Sequence, residues 1–233
     1  MGRRPVKGRA TALALAVLVG SAVSVQLPPS AVWANPVLVV TSTADSGPHT
    51  LRNLISKANA TPGPDRIEFD LPGAAPHVIA PTSGLPGITE TLTIDGTTQA
   101  GFSRATHKPV VVLDGISAGN TSALTMFGTA AGGTQIRGLE IIRFQFEAIN
   151  INGVQDVVIA GNYIGTDGVT ALGNGSGFMS VSGVVSAFGE SRNLRIGGTT
   201  AAARNVIGDS MLKLIAIHEA PVHAGSHLPP TGS

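Results

Sequence analysis

The feature that most constrains this chain is a succession of short segments in which apolar and polar residues alternate, each stopping at Gly or Asp-Gly. Such segments are Arg66-Ile67-Glu68-Phe69-Asp70-Leu71, Leu92-Thr93-Ile94-Asp95-Gly96 and Pro109-Val110-Val111-Val112-Leu113-Asp114-Gly115. Alternation with period two reads as a strand with one buried face, and Asp-Gly reads as the turn that ends it. From Thr134 the spacing tightens. Gln135-Ile136-Arg137-Gly138-Leu139-Glu140-Ile141 is echoed 21 residues later by Asp156-Val157-Val158-Ile159-Ala160-Gly161-Asn162-Tyr163-Ile164. A third copy, Asn193-Leu194-Arg195-Ile196-Gly197-Gly198, follows a further 37 residues on. Ala148-Ile149-Asn150-Ile151-Asn152-Gly153-Val154 lies between the first two as a second strand type. A short repeat cannot bury its apolar side alone, so successive turns of chain must stack and pair strand on strand in parallel. The expected fold is therefore all-β, a parallel β-helix (solenoid), with residues 165–185 as a loop bulging from one turn.

One helix is expected. Over Pro48–Asn59 the residues Leu51, Leu54, Ile55 and Ala58 fall on one face, Pro48 suits a first turn, and Ala60-Thr61-Pro62-Gly63-Pro64 stops it. Its stripe is too narrow for a core of its own, which predicts a helix that caps one end of the stack. Thirty glycines, one Trp, one Tyr and no cysteine fit many tight turns held by burial and backbone pairing alone.

The start of the chain reads as an export signal. Arg3, Arg4, Lys7 and Arg9 precede an uncharged run of 16 residues, Ala10 to Val25, and Val32-Trp33-Ala34 forms a small-residue cleavage site before Asn35. The run is shorter than the about 20 residues a spanning helix needs. Cleavage is expected after Ala34, by the general secretory route, since Pro5 directly follows the Arg3-Arg4 pair. The remainder then carries 11 Lys and Arg against 14 Asp and Glu, a formal charge of −3. That balance excludes the basic footprint of a nucleic-acid binder, and no transmembrane helix is expected after the signal. The expected divisions are a signal peptide at 1–34, an N-terminal cap at 35–66, the parallel β-helix at 67–210 and an irregular tail at 211–233.

Several stretches resemble a known group. Val40-Thr41-Ser42-Thr43-Ala44-Asp45-Ser46-Gly47-Pro48-His49-Thr50-Leu51-Arg52-Asn53-Leu54-Ile55, followed by Pro62-Gly63-Pro64-Asp65-Arg66-Ile67, resembles the N-terminal module of exported bacterial proteins carrying the CSLREA motif. His49, Asn53 and Leu54 replace the Cys, Glu and Ala of that motif. Gly161-Asn162-Tyr163-Ile164-Gly165-Thr166-Asp167, Ile196-Gly197-Gly198-Thr199-Thr200 and Arg204-Asn205-Val206-Ile207 are similar to the repeats of that group. The resemblance implies a secreted or cell-surface β-helix, right-handed and of the pectate-lyase-like type. It names no activity.

Polysaccharide lyases and hydrolases on such a fold set Asp, Lys or Arg on one outward face, often with calcium, because abstracting a proton beside a uronic carboxylate needs a base and charge neutralisation. The candidates here are Asp95, Asp114, Asp156, Asp167, Arg137, Arg143 and Arg195. Asp95 and Asp114 each precede Gly, and the turn-forming reading outweighs the catalytic one. Arg137 and Arg195 occupy matching places in their repeats and are expected along one line outside, as a solvated face rather than an anionic-sugar track. Asn162 is expected to satisfy turn backbone groups by stacking. His218 and His223 are spaced i, i+5 with Pro221 between them, the wrong pattern for a helical metal pair, and no metal ligand set is expected. Leu228-Pro229-Pro230-Thr231-Gly232 matches a sortase signal, but only Ser233 follows, and the match is expected to be accidental. The leading expectation is a binding or adhesion surface for carbohydrate or cell-envelope glycan. The alternatives are a polysaccharide lyase or glycoside hydrolase, which two or more carboxylates with an Arg or Lys in one groove would favour, and a structural stalk or fragment.

Overall fold

The structure is a computed structural model that describes residues 35–175, 185–208 and the backbone of 215–217. The expected signal peptide with its Ala34 cleavage site, the histidines at 218 and 223 and the Leu228–Gly232 motif lie outside the described residues.

The described chain is mostly β. In order it forms β1 (Leu38–Val40), α1 (Leu51–Ala58), β2 (Asp65–Phe69), β3 (His77–Ile79), β4 (Leu92–Asp95), β5 (Val111–Asp114), β6 (Leu124–Phe127), β7 (Gln135–Arg137), β8 (Leu139–Ile142), β9 (Ile149–Asn152), β10 (Val158–Ala160), β11 (Tyr163–Ile164), β12 (Val185–Phe188), β13 (Arg195–Ile196), β14 (Val206–Ile207) and β15 (Ile215–Ile217). The strands build three sheets: the first runs β1-β2-β4-β7-β10-β13, the second β3-β5-β8-β11-β14 and the third β6-β9-β12-β15. The strand pairs within each sheet are parallel. From β4 onward the chain visits the first, second and third sheets in turn before returning to the first.

Side chains of like position stack along each sheet. Ile67, Ile94, Ile136 and Ile159 are register partners on adjacent strands of the first sheet, with no solvent exposure, and Leu38 and Ile196 continue the row at its ends. Ile79, Leu113, Ile141, Ile164 and Ile207 form the corresponding row of the second sheet. Leu124, Ile149 and Val185 begin that of the third. These rows join one continuous buried cluster. β-branched residues suit such rows because their stiff χ1 packs well on a pleated surface.

The turns between sheets bring polar backbone indoors, and asparagines answer it. Asn162, fully buried between β10 and β11, accepts from the Leu139 N–H at 3.1 Å and donates to the Ile136 carbonyl at 2.9 Å, one pass earlier. Asn205 repeats this one pass later, accepting from Asn162 N and donating to Ile159 O. Asn174 does the same at the next corner, toward Phe144 N and Ile141 O. Where an earlier pass lacks the asparagine, the corner is closed by contact. Gly138 has φ +68, and a Cβ there would lie 2.6 Å from Thr97 N, so only glycine fits.

Four expectations need correction. The helix begins at Leu51 rather than Pro48, because His49 is left-handed at φ 56 and Thr50 is extended as the N-cap, its hydroxyl accepting from Asn53 N. Its buried face, Leu51, Leu54, Ile55 and Ala58, packs on β1 and β2. The repeat offset of 21 is replaced by 23, since Ile136 pairs with Ile159 and Gln135 with Val158. A slip of two keeps each residue on its own face, so alternation cannot separate the two registers. The expected 165–185 loop is partly structured: Thr166 bridges Ala171, Asn174 is buried, and Val185 opens β12. Within the expected irregular tail, β15 pairs with β12, because the alternation Ile215-Ala216-Ile217 matches Val185-Ser186-Ala187.

Candidate functional site: two grooves on the outer faces

Two grooves lie outside the sheets, divided by the segment between β4 and β5. Phe102, Arg104 and His107 of that segment line one groove, and Ser103, Thr106 and Lys108 line the other.

The first groove, about 480 Å³, lies over the first sheet. Its central carboxylate is Asp95, at the end of β4 and 2% exposed. One carboxylate oxygen accepts from Thr97 N at 3.1 Å and Thr97 Oγ1 at 2.6 Å, so the turn-forming role is met. The other accepts from Arg66 at 2.5 Å and lies 3.0 Å from an Nη of Arg137. Arg66 is also bound to Glu68. Register explains the convergence: Glu68, Asp95 and Arg137 are successive cross-strand neighbours on one face. Arg195 shares that face but pairs with Val158, whereas Arg137 pairs with Ala160. The two arginines are therefore offset by two residues and do not form the single line expected of them. That offset follows directly from the 23-residue register.

The second groove, about 490 Å³, lies over the second sheet. Val78, Val112, Ile142, Pro76 and Leu172 give it apolar walls, and Asp114, Glu140, Arg143, Asp167 and Lys108 supply charge. Asp114 caps a short 3-10 turn through Ile116 N and is gripped by Arg143, whose Nε donates to Oδ1 at 2.8 Å and whose Nη2 donates to Oδ2. Arg143 holds this position from a left-handed backbone, φ 59. Asp167 lies at the rim, its Oδ1 accepting from Thr170 N at 2.6 Å and Val169 N at 2.8 Å. Those backbone donors, with Lys108 nearby, hold its carboxyl below the ordinary aspartate range.

Glu140 is the residue that sequence reasoning missed. It is 6% exposed and lines the groove, yet its carboxyl has no hydrogen-bond or ion-pair partner among the described residues. Burial pushes its carboxyl above the ordinary glutamate range, Asp167 and Asp114 push the same way, and Lys108 opposes them. Its register neighbours explain the isolation: Val112 on one side and Tyr163 on the other. The signal present in sequence is one charged residue in the otherwise apolar strand Leu139–Ile142.

Asp156 belongs to neither groove. It is exposed at φ 60 in a turn, where it accepts from Asn193 Nδ2 at 3.0 Å. The candidates thus divide into Asp95, Arg137 and Arg195 over one sheet and Asp114, Arg143 and Asp167 over another. Among the described residues no three His, Asp or Glu side chains are gathered closely enough to hold a metal ion. Among them, too, no helix is long and apolar enough to cross a membrane. No protein-family model matches the chain, and no curated protein matches it significantly.

Proposed function

We propose that the chain is an exported right-handed parallel β-helix, akin to the CSLREA-type group, whose outer surface binds carbohydrate or cell-envelope glycan in the groove over the second sheet. The cyclic order in which the chain visits three parallel sheets supports the β-helix, and the N-terminal signal pattern supports export. The observation that carries the binding reading is Glu140. A glutamate only 6% exposed, whose carboxyl opens on the groove and has no partner among the described residues, set between apolar walls in a groove of about 490 Å³, suits a ligand with an apolar face and hydroxyl donors at its edge. A pyranose ring has both. Its hydroxyl supplies the hydrogen bond that Glu140 lacks, while Asp114 and Arg143 engage one another.

A second reading, glycoside hydrolysis or polysaccharide cleavage, draws on one specific contrast. Glu140 and Asp167 line the same groove with carboxyls displaced in opposite directions, the pattern of an acid and base pair. A glycan array and a polysaccharide-degradation assay, each with and without calcium, separate the readings. Glycan retention that Glu140→Gln weakens, without new sugar ends, is the expected result. New reducing or unsaturated ends would move the assignment to the second reading, and the absence of both glycan retention and new ends would refute both.

A further inference from the structure

We propose that the groove over the second sheet selects a sugar unit carrying a free amine, its ammonium paired with the Glu140 carboxylate. This deepens the glycan reading of the same groove by naming a ligand class, and rests on that reading for the sugar ring.

Glu140 sits among groups that do not answer its charge. The lining carries three carboxylates, Asp114, Glu140 and Asp167, against two cations, Arg143 and Lys108. Arg143 is spent on Asp114, through both Nε and Nη2. Asp167 is satisfied by the N–H groups of Val169 and Thr170. Lys108 is exposed and acts on Glu140 and Asp167 through space, with no ion pair among the described residues. One negative charge is left over, and it belongs to Glu140.

That carboxyl is within reach of a ligand. Among the described residues the unpartnered polar side-chain atoms sealed from solvent are Asn53 Oδ1 and Arg137 Nε; the Glu140 oxygens, also unpartnered, are not sealed and open on the groove. A hydroxyl brings such a carboxylate a hydrogen bond but no countercharge, whereas an ammonium brings both. A bare metal ion does not fit, since no three His, Asp or Glu side chains are gathered to hold it among the described residues. The cation must therefore arrive on a larger body. Val78, Val112 and Glu140 are register partners in one outward row, and Ile142 follows Glu140 on the same face. Val112 lies one strand spacing, about 4.8 Å, from Glu140, so a pyranose whose C–H face rests on Val112 and Ile142 extends an equatorial amine to the carboxyl.

The test is titration calorimetry of the full chain with β-1,4-linked oligomers of glucosamine, N-acetylglucosamine and glucose, which differ only at C2, at a mildly acidic pH where the free amines are protonated. The glucosamine oligomer is expected to bind about ten-fold or more tighter than the other two. Glu140→Gln should abolish that preference and Glu190→Gln should leave it. Glu190 is exposed and lies outside the groove lining, so it controls for general attraction of a polycation to the chain. Equal binding of the three, a preference that survives Glu140→Gln, or one that Glu190→Gln also removes, overturns the inference. If a neutral oligomer then still binds, and Glu140→Gln weakens it, the glycan reading of the groove stands without the amine. Binding of none of the three overturns the inference as well, and the glycan reading falls with it only if the array also retains nothing.

Discussion

Over the first sheet one buried carboxylate, Asp95, is shared by two guanidiniums, whereas over the second the guanidinium of Arg143 is matched to Asp114 and the carboxylate of the largely buried Glu140 has no partner among the described residues. Both surfaces draw on the same residue types. Their difference lies in cross-strand register. Asp95 has Glu68 and Arg137 as lateral neighbours, while Glu140 has Val112 and Tyr163. One groove is left short of negative charge and the other short of a donor. Which charge goes unmatched, rather than how many charges are present, is what distinguishes the two grooves.

The largest expected effect comes from the corner that holds the two faces in place. Asn162→Ala removes the partners of Leu139 N and Ile136 O inside the stack and should cost about 3 kcal/mol in denaturant unfolding. A loss below about 1 kcal/mol would show that the corner tolerates unpaired backbone or admits water. Next, Asp95→Asn should cost about 2 kcal/mol and Asp114→Asn about 1 kcal/mol, both moderated because the arginine heads reach solvent. Asp95 holds two guanidiniums and Asp114 one, so the opposite order would break the comparison between the grooves.

Glu140→Gln should stabilise the protein by about 1 kcal/mol at pH 7, since it removes an unpaired buried charge. The sign in pH follows from the raised carboxyl. The folded state holds its proton longer than the unfolded chain, so ionising Glu140 penalises folding as pH climbs above the ordinary value of 4.5. The gain from Gln should therefore vanish at pH 4, and an equal gain at both pH values would refute the burial argument. Asp167 gives the smallest effect and the opposite sign. Its lowered carboxyl contributes stability above the ordinary value of 3.8 and loses it as pH falls through the folded value. NMR titration of the two carboxyls should find Glu140 above 4.5 and Asp167 below 3.8, and coincident midpoints would remove the contrast within this groove.

Much of the strand layout was legible before the fold was known. The stretches around Ile67, Ile94, Leu113, Ile136, Ile151 and Ile159 were marked by alternation and by the glycines that end them, and each lies in or beside a strand. The helix stripe was legible too, though its start depended on the left-handed His49, which residue type alone does not announce. The offset of 23 was present in the glycines at 138 and 161, both with positive φ, but the apolar pattern overshadowed it. Glu140 was illegible for a different reason. Alternation places it outward, and outward normally means solvent. Its burial depends on the walls that residues 101–110 and 167–172 raise beside it, which are distant in sequence.

The sequence by itself determined which residues turn inward, because period-two alternation and turn-forming Asp-Gly are local properties of the chain. Only the tertiary structure decided which charges meet, because partnership across parallel strands depends on register between passes 23 to 43 residues apart, and a slip of two residues changes every partner without moving any side chain to the other face.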